Sequence, residues 1–306
     1  MAILLESLVH AIGFDHLVFS AKVVIGDIDV AGAEKVVHEI VAAGGAAVSQ
    51  RCDVTSWDDQ VDLFEFARKV YGTVDVVVVD DRPVPPNLKT LQIDLIGISL
   101  KQYCATNVVH AILATHLALH HLKSTQAENE PGRVKAIVLM GSVASWHPPA
   151  MNVMYGSSKH GVLGLMRTIE PTCDSAGIRV GIVHPWYADT HLLTTPMRLF
   201  LAGLPLTPVS RIAAAVLYAA ADSDPRTSGC PLLLPDGGEA LRLDKELLRE
   251  GLYEVANARL RRTRDAVHGV RYAVRLAKDL LVLFSPAAAL VAGIGVVGFI
   301  ATRFLH

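Results

Sequence analysis

Cysteine is scarce in this sequence, and the few thiols are spread in a way that argues against cross-links. The chain has 306 residues and four cysteines, Cys52, Cys104, Cys173 and Cys230, with no CxxC pair among them. Neither the cysteines nor the histidines follow the spacing of a zinc site or another metal-binding motif. We therefore expect reduced, buried thiols, no disulfide framework and no metal ion.

Charge is scarce too, and neither sign dominates. Charged residues make up 19% of the chain and the formal net charge is -2, so no strong field directs the protein toward nucleic acid or an acidic partner. In contrast, 51% of the residues belong to the broad hydrophobic set, and the mean hydropathy is +0.38. This composition excludes a disordered or fibrous protein and is unusually apolar for a soluble enzyme.

Much of the hydrophobic excess lies at the C-terminal end. Residues 280–301 form a run of 22 residues without a formal charge, which as a helix would span roughly 33 Å, about the thickness of a bilayer core. Residues 259–278 carry seven basic residues against one acid, Asp265, and basic residues favour the cytosolic side. We predict a transmembrane or membrane-anchor segment at 280–301, with the main domain facing the cytosol. A buried core helix, or packing against a dimer partner, is the alternative.

Between residues 22 and 240, short apolar runs alternate with longer segments of helical spacing. The pattern predicts strands at 22–27, 46–51, 74–79, 134–140, 179–183 and 232–234, and helices at 31–43, 57–71, 100–122, 153–176 and 208–221. Such alternation indicates a doubly wound α/β domain, in which helices cover both faces of a parallel sheet. Residues 1–21 form an atypical N-terminal segment without signal-peptide features, and residues 241–279 a charged helical connector.

Three residues carry a recognisable chemistry. Tyr155 and Lys159 are four residues apart at a predicted helix start, so both side chains lie on one helix face. An ammonium group beside a phenol lowers the pKa of the phenol, and such a tyrosine can exchange a proton with a substrate hydroxyl while a hydride leaves the same carbon. Ser142 follows a buried strand, thirteen residues before the tyrosine, and is suited to hold the substrate oxygen.

With these residues in place, the sequence resembles the short-chain dehydrogenase/reductase family from about residue 22 to residue 239. The segment GSVASWHPPAMNVMYGSSKHGVLGLMR is similar to the family's serine-to-YxxxK block, and TNVVHAILATHLAL to the helix that carries its asparagine. Within this family, the segment YGSSKHG most resembles the hydroxyprostaglandin dehydrogenases. The resemblance implies a Rossmann-like domain at 22–240 and an oxidoreductase that transfers a hydride between NAD(H) and an apolar alcohol or ketone, lipids included. A homodimer is a further expectation.

The resemblance also implies a role for each matching residue of the catalytic set. Tyr155 would be the acid/base. Lys159 would bind the nicotinamide ribose and lower the pKa of the tyrosine. Ser142 would orient the substrate, and Asn107 would hold a water molecule that links Lys159 to solvent.

The cofactor-binding residues implied by the resemblance have simpler alternatives. Asp27 would accept hydrogen bonds from the adenosine ribose and favour NAD over NADP by repelling a 2′-phosphate, although Asp29 could take its place. Asp53 and Val54 would flank the adenine, although Asp53 could be a turn residue. Pro185 would also belong to the cofactor site, and Thr190 would contact the carboxamide or a phosphate of the cofactor, although Thr190 could merely cap a helix.

The sequence departs from the family pattern at three places. No TGxxxGxG turn is present, so the first strand and helix are predicted to be truncated or replaced, with MAILL or HLVFS as a substitute strand. Asp80 and Asp81 stand where the family has the small neutral NNAG residues, and Trp186 replaces the glycine of its PG pair. These departures leave a second hypothesis, a membrane-tethered, non-catalytic binding or scaffold protein on the same fold.

Overall fold

The structure of the protein is a computed structural model. It describes residues 2–6, 21–80, 104–124, 134–147, 153–188, 193, 195–235, 238–245, 262, 266–267 and 269–278. The chain divides into two compact units, Met1–Leu247 and Leu248–His306. In the second unit, the described residues 269–278 are helical and exposed.

The first unit is built on one eight-stranded sheet in the order β3-β2-β1-β4-β5-β6-β7-β8. The first seven strands pair in parallel, and β8 pairs antiparallel with β7. The strands are β1 Ala2–Glu6, β2 Lys22–Asp27, β3 Ala46–Arg51, β4 Val76–Val79, β5 Ala136–Met140, β6 Arg179–Pro185, β7 Pro231–Leu234 and β8 Leu241–Arg242. The predicted doubly wound, Rossmann-like α/β fold is confirmed, while β8 lies inside the segment that was predicted to be only helical.

Within the described residues of the first unit, six α-helices and one π-helix connect the strands. The helices are α1 Val30–Ala42, α2 Trp57–Tyr71, α3 His110–Ser124, α4 Val153–Asp174, α5 Thr195–Phe200 and α6 Val209–Ala221, and the π-helix Cys104–Val109 leads directly into α3. Local chemistry sets their ends. For α2, the Ser56 hydroxyl accepts the Asp59 amide, and Gly72 closes the helix with a φ of 80°, a left-handed conformation that glycine adopts without a Cβ clash.

The prediction of a truncated first strand is wrong in one respect. Ala2–Glu6, which overlaps the candidate MAILL, forms a full strand in the middle of the sheet, where Leu4 pairs with Val24 on one side and Val77 on the other. A strand here satisfies the inner hydrogen-bonding edges of β2 and β4, which would otherwise be open. The second candidate, HLVFS, and the region of the glycine-rich turn at 7–20 lie outside the described residues.

Helices pack on both faces of the sheet, as the alternation predicts. Successive valines of β4 point to opposite sides, so Val76 and Val78 join a core with α1 and α6, while Val77 and Val79 join a core with α2, α3 and α4. This alternation is the period-two geometry of a strand. The buried, two-sided sheet therefore gives a rigid frame for the residues that follow each strand.

The expectations about a membrane segment, the cysteines and metal ions can be addressed only within the described residues. Within the described ranges, no helix combines the length and apolar character needed to cross a membrane, and the predicted segment 280–301 lies outside those ranges. Cys52, Cys173 and Cys230 are buried, reduced cysteines. The described part of the chain holds no cluster of three or more His, Cys, Asp or Glu residues that could bind a metal ion.

Candidate active site

The polar residues of interest follow the carboxyl ends of neighbouring parallel strands. Asp27 ends β2, Asp53 follows β3, Asp80 follows β4, Ser142 follows β5 and Pro185 ends β6. Since carboxyl ends of parallel strands meet at one edge of the sheet, all five lie along the same edge. The strand order reverses between β1 and β4, and such a switch point opens the crevice where α/β sheets bind ligands.

Lys159 is the most deeply buried charged residue of this edge. Its side chain is fully buried, and its Nζ donates a hydrogen bond to the carbonyl oxygen of Met140, 2.8 Å away at the end of β5. The same Nζ lies 5.6 Å from the centroid of the Tyr155 ring, one turn earlier in α4. The helix and the strand end therefore bring together the lysine and the tyrosine that the sequence pairs.

Burial governs the charge of Lys159. Loss of hydration lowers the pKa of its ammonium group to about 7, while the carboxylate of Asp80 acts in the opposite direction. The register explains this proximity, because Val79 pairs with Leu139 and the next residues along the two strands are Asp80 and Met140. The acidic departure from the family pattern thus acts on Lys159, which sequence reasoning did not predict.

Ser142 begins a short turn directly after β5. Its backbone is extended, and its hydroxyl accepts the amide of Ala144 at the start of the 3-10 helix Val143–Ser145. The Ser145 hydroxyl accepts the Ser142 amide in return, at 3.3 Å. This reciprocal capping fixes the turn and holds the serine at the strand end.

Asn107 is placed by the π-helix. It is buried, and its Nδ2 donates to the Ser158 hydroxyl at 3.0 Å. Ser158 in turn donates to the carbonyl oxygen of Tyr155, at 2.8 Å. The asparagine is therefore linked through one hydroxyl to the turn of α4 that carries Tyr155 and Lys159. A π-helix widens the helical turn locally and is often found at functional sites.

His184 belongs to the candidate site, although the sequence marks it only as one of several histidines whose spacing matches no metal-ligand motif. The ring is fully buried beside Ser142, and its Nε2 has no hydrogen-bond partner among the described residues. The signal that could have identified it is Gly141, a glycine directly after a buried strand, because such a glycine often marks a close approach of another group.

On the cofactor side, the two acidic residues at the end of β2 make different contacts. The Asp29 carboxylate accepts the Gly32 amide and caps α1. Asp27 accepts the Asp29 amide at 2.9 Å and lies at the strand end itself. The Cys52 amide donates to the Asp27 carbonyl, which ties the end of β2 to the loop after β3.

Of the candidate residues for the rest of the cofactor, Asp53, Val54 and Pro185 lie within the described part of the chain. Oδ1 of Asp53 accepts both the amide and the hydroxyl of Thr55, so the alternative role as a turn residue is present, and Val54 is buried. Pro185 closes β6, and Trp186 after it donates its amide to Leu234. Thr190 lies outside the described residues.

The donor and acceptor set of this edge fits a nicotinamide dinucleotide. The carboxylate of Asp27 suits ribose hydroxyls at one end of the crevice, and the Lys159 ammonium and the Tyr155 hydroxyl suit a second ribose and a substrate oxygen at the other. Asp27 at the end of β2 and Lys159 beside the end of β5 both lie at the carboxyl edge of the sheet, where sheets of this order bind dinucleotides.

Comparisons with known proteins agree with this geometry. A family model described as short chain dehydrogenase matches residues 16–197, more than half of the chain. The chain is 29% identical over 225 residues to the cis-4-hydroxycyclohexanecarboxylate dehydrogenase of Sinomonas cyclohexanicum, a match that covers 71% of this chain and 86% of that protein. It is 28% identical over 209 residues to the xanthoxin dehydrogenase of Arabidopsis thaliana, covering 61% of this chain and 68% of that protein.

Two solved structures are similar to the fold. One is the 3-ketoacyl-(acyl-carrier-protein) reductase of Brucella melitensis complexed with NADH, with a TM-score of 0.64 and 25% identity over 78% of this chain and 97% of that chain. The other is a 7α-hydroxysteroid dehydrogenase complexed with NADH and 7-oxo glycochenodeoxycholic acid, with a TM-score of 0.65 and 25% identity over 78% and 93% of the two chains.

Proposed function

Because this chain belongs to the short-chain dehydrogenase family, whose members are oxidoreductases that use a nicotinamide cofactor, we propose that it interconverts an apolar alcohol and its ketone with NAD(H). The observation that carries the proposal is the buried Lys159, held by Met140 and placed beside Tyr155. Asn107 in the π-helix and Ser142 after β5 complete the set.

The chain's own residues account for the proton and the orientation. When bound, the nicotinamide supplies or accepts the hydride. The Tyr155 hydroxyl exchanges a proton with the substrate oxygen, and the positive charge of Lys159 stabilises the phenolate that results. The Ser142 hydroxyl donates to the same substrate oxygen and orients it. Asn107 is linked through Ser158 to the backbone of Tyr155 and keeps this turn of α4 in place.

We propose an alicyclic or lipid-like secondary alcohol as the substrate class. Two of the proteins named above support this class: one is a dehydrogenase of cis-4-hydroxycyclohexanecarboxylate, and the other is a hydroxysteroid dehydrogenase in complex with 7-oxo glycochenodeoxycholic acid. In this chain, the segment after β6 is apolar, with Leu193 and Leu201 buried and Leu199 exposed by 73%. An exposed leucine beside buried ones is suited to cover a hydrophobic substrate. The closer likeness to hydroxyprostaglandin dehydrogenases stays a prediction.

The experiment that tests the activity compares Tyr155→Phe with the unchanged chain. We expect NADH binding to be retained in a fluorescence titration, while kcat for alicyclic alcohols falls by about 10²- to 10⁴-fold, the usual contribution of a general acid/base. Tyr218→Phe, on an exposed tyrosine of α6, is the matched control and should leave both quantities unchanged. Turnover that survives Tyr155→Phe would exclude the proposed mechanism.

We propose NAD as the preferred cofactor because a carboxylate at Asp27 would repel a 2′-phosphate. Asp27→Ser should raise the ratio of kcat/KM with NADP to that with NAD by about tenfold or more, equivalent to roughly 1.4 kcal/mol. Asp29→Asn removes a charge two residues away but keeps a good helix cap, so the ratio should stay the same. The opposite pattern would assign the ribose contact to Asp29.

The second candidate function is a non-catalytic binding or scaffold protein. The observation that favours it is the carboxylate of Asp80, which offsets the charge of Lys159. Under this hypothesis a folded chain fails to bind NADH up to millimolar concentration. Binding in the micromolar range would instead favour the dehydrogenase.

For the location, we propose that residues 280–301 tether the protein to a membrane with its main domain in the cytosol. The support is the uncharged run itself and the basic residues before it. The full chain should stay with membranes after carbonate extraction, whereas a chain without residues 280–306 should be folded and soluble. Unfolding of the shortened chain would instead assign these residues to a core.

We also propose a homodimer. Val109 at the end of the π-helix and Ile112 in the first turn of α3 are exposed by 45% and 46%, and two such residues one turn apart are suited to an apolar contact. Light scattering should give twice the chain mass, and Ile112→Lys should reduce it to the mass of one chain. A single-chain mass for the unchanged protein would exclude the dimer.

A further inference from the structure

His184 lies between three elements of the candidate site. It follows Val183 in β6, its side chain is fully buried, and its ring packs edge-on against Trp146 with centroids 5.7 Å apart. The register places Val183 opposite Met140, so His184 stands next to Gly141, the residue that precedes Ser142.

The ring contacts the backbone of Ser142 through Nδ1. This nitrogen is 2.9 Å from the Ser142 carbonyl oxygen and 3.2 Å from the Ser142 amide nitrogen. A single ring nitrogen serves only one of these groups, as donor or as acceptor. The Ser142 amide already has the Ser145 hydroxyl as an acceptor. The Ser142 carbonyl oxygen accepts the Ser145 amide at 2.8 Å, and its second lone pair can accept a proton from Nδ1, which lies nearer to this oxygen than to the amide nitrogen.

The other ring nitrogen supports the same assignment. Nε2 of His184 has no partner among the described residues, and neither has the indole Nε1 of the neighbouring Trp146. A proton on Nε2 would leave that N–H without an acceptor among the described residues, and unsatisfied buried donors are costly. With the proton on Nδ1, the N–H of the ring has the Ser142 carbonyl as its acceptor.

Gly141 is matched to this ring. A Cβ at position 141 would overlap Nδ1 and Cε1 of His184, and the Gly141 amide donates to the Val183 carbonyl at 2.8 Å. The imidazole therefore lies directly against the backbone at Gly141, where no side chain intervenes. This close approach is what brings Nδ1 within hydrogen-bond distance of the next residue.

The ring stays neutral throughout the working range of such an enzyme. The pKa of His184 is lowered to about 3, mainly by burial and also by the nearby positive charge of Lys159, while the Ser142 carbonyl acts in the opposite direction. No acidic group is among the causes of this shift. A neutral imidazole with a fixed proton is a stable anchor for a backbone carbonyl.

We propose that His184 is a positioning residue. Its Nδ1–H donates a hydrogen bond to the Ser142 carbonyl oxygen and thereby fixes the backbone of Ser142, so that the Ser142 hydroxyl stays in position to bind the substrate oxygen. This inference rests on the proposed function of Ser142. It assigns to the imidazole a role in the orientation of the substrate, without contact with the reacting atoms.

Three substitutions at position 184 separate the hydrogen bond from packing. His184→Asn keeps a donor on the atom that follows Cγ, where Nδ1 stands, and should retain kcat within about threefold. His184→Gln moves the donor one bond further, and His184→Leu removes it. Both should lower kcat by about 10- to 100-fold, the effect of a small misplacement of an orienting group, with little change in the Kd for NADH. Equal activity of the Asn and Leu variants would overturn the proposal.

The match with Gly141 gives a second, independent test. Gly141→Ala alone should displace the ring and lower kcat and the Tm. In a His184→Ala background the added methyl has room, so Gly141→Ala should then cost much less. Additive effects of the two substitutions would contradict direct contact between ring and backbone.

A readout without catalysis separates failure of this inference from failure of the proposed function. In the folded protein, ¹⁵N chemical shifts of the His184 ring should show Nδ1 protonated and Nε2 unprotonated from pH 5 to pH 9. A proton on Nε2 overturns the inference even if the enzyme is active. If no alcohol or ketone is turned over but Nδ1 is protonated, the proposed function fails and the backbone contact stands.

Discussion

Lys159 donates a hydrogen bond from its fully buried Nζ to the carbonyl oxygen of Met140, 2.8 Å away. The bond satisfies one proton of the ammonium group, yet burial still holds the pKa of Lys159 near 7. The unfolded chain restores the ordinary value of 10.5 and therefore binds more protons between these two pH values. Folding then becomes more favourable as the pH rises from about 7 to about 10.5.

This relationship predicts a conflict between stability and activity at position 159. Lys159→Met removes the buried charge, so we expect the free energy of unfolding at pH 7 to rise by about 1–3 kcal/mol, since apolar replacement of a buried charge is often stabilising. The rise of stability with pH should flatten, and activity should be lost. Urea denaturation at pH 7, 8 and 9 checks this. Lys159→Arg, which stays charged, should give no gain.

Asp80 should control the charge of that lysine. Its carboxylate favours the protonated form, so Asp80→Asn should bring the pKa of Lys159 below about 7. The signal of the lysine side chain in ¹³C-labelled protein, identified with Lys159→Arg, reports this pKa directly. Glu34→Gln removes a carboxylate from the exposed surface of α1 and should have no effect. An unchanged pKa in Asp80→Asn would mean that burial alone sets it.

Ser158 should matter although it was not among the residues predicted from the sequence. Ser158→Ala removes the hydroxyl that joins Asn107 to the backbone of Tyr155. We expect kcat to fall by about three- to tenfold and the free energy of unfolding by about 1 kcal/mol, the usual value of such a bond. The neighbouring Ser157 is exposed, so Ser157→Ala is the matched control. Equal kcat values in the two variants would show that Asn107 does not help to position α4.

The sequence predicted the fold where local signals are strong. The strand at Lys22–Asp27 agrees with the prediction residue for residue, because the β-branched run from Val23 to Ile25 is followed by a loop and a helix that Asp29 caps. The strand at Ala2–Glu6 was only one of two candidates, since a run of five apolar residues has no unique place on its own. Its position is fixed by pairing with β2 and β4, and such pairing is not visible locally.

The same difference holds within the candidate site. Tyr155, Lys159 and Ser142 could be found because their spacing along the chain carries the chemistry. His184 could not, because its contact with Gly141 and Ser142 joins two strand ends that are more than forty residues apart. Likewise, the sequence left open whether Asp27 or Asp29 contacts the ribose, because it does not show which of the two carboxylates caps α1.

A buried ion pair away from the site should be important for folding. Glu170 in α4 accepts a hydrogen bond from Lys245 at 3.0 Å, and the two side chains are only 3% and 17% exposed. Lys245→Met removes the partner of a buried carboxylate, so we expect a loss of about 2–4 kcal/mol in the free energy of unfolding. Urea denaturation at pH 7 measures it.

The pair Lys35–Glu39 on the surface of α1 is the control for this prediction. Its atoms are 4.0 Å apart and its side chains are 68% and 48% exposed, so Lys35→Met should change stability by less than about 0.5 kcal/mol. Replacing both buried partners, in Glu170→Gln with Lys245→Met, should recover part of the loss, because no unpaired charge remains. A double variant as unstable as Lys245→Met would mean that packing of the lysine stem, rather than the charge of Glu170, accounts for the effect.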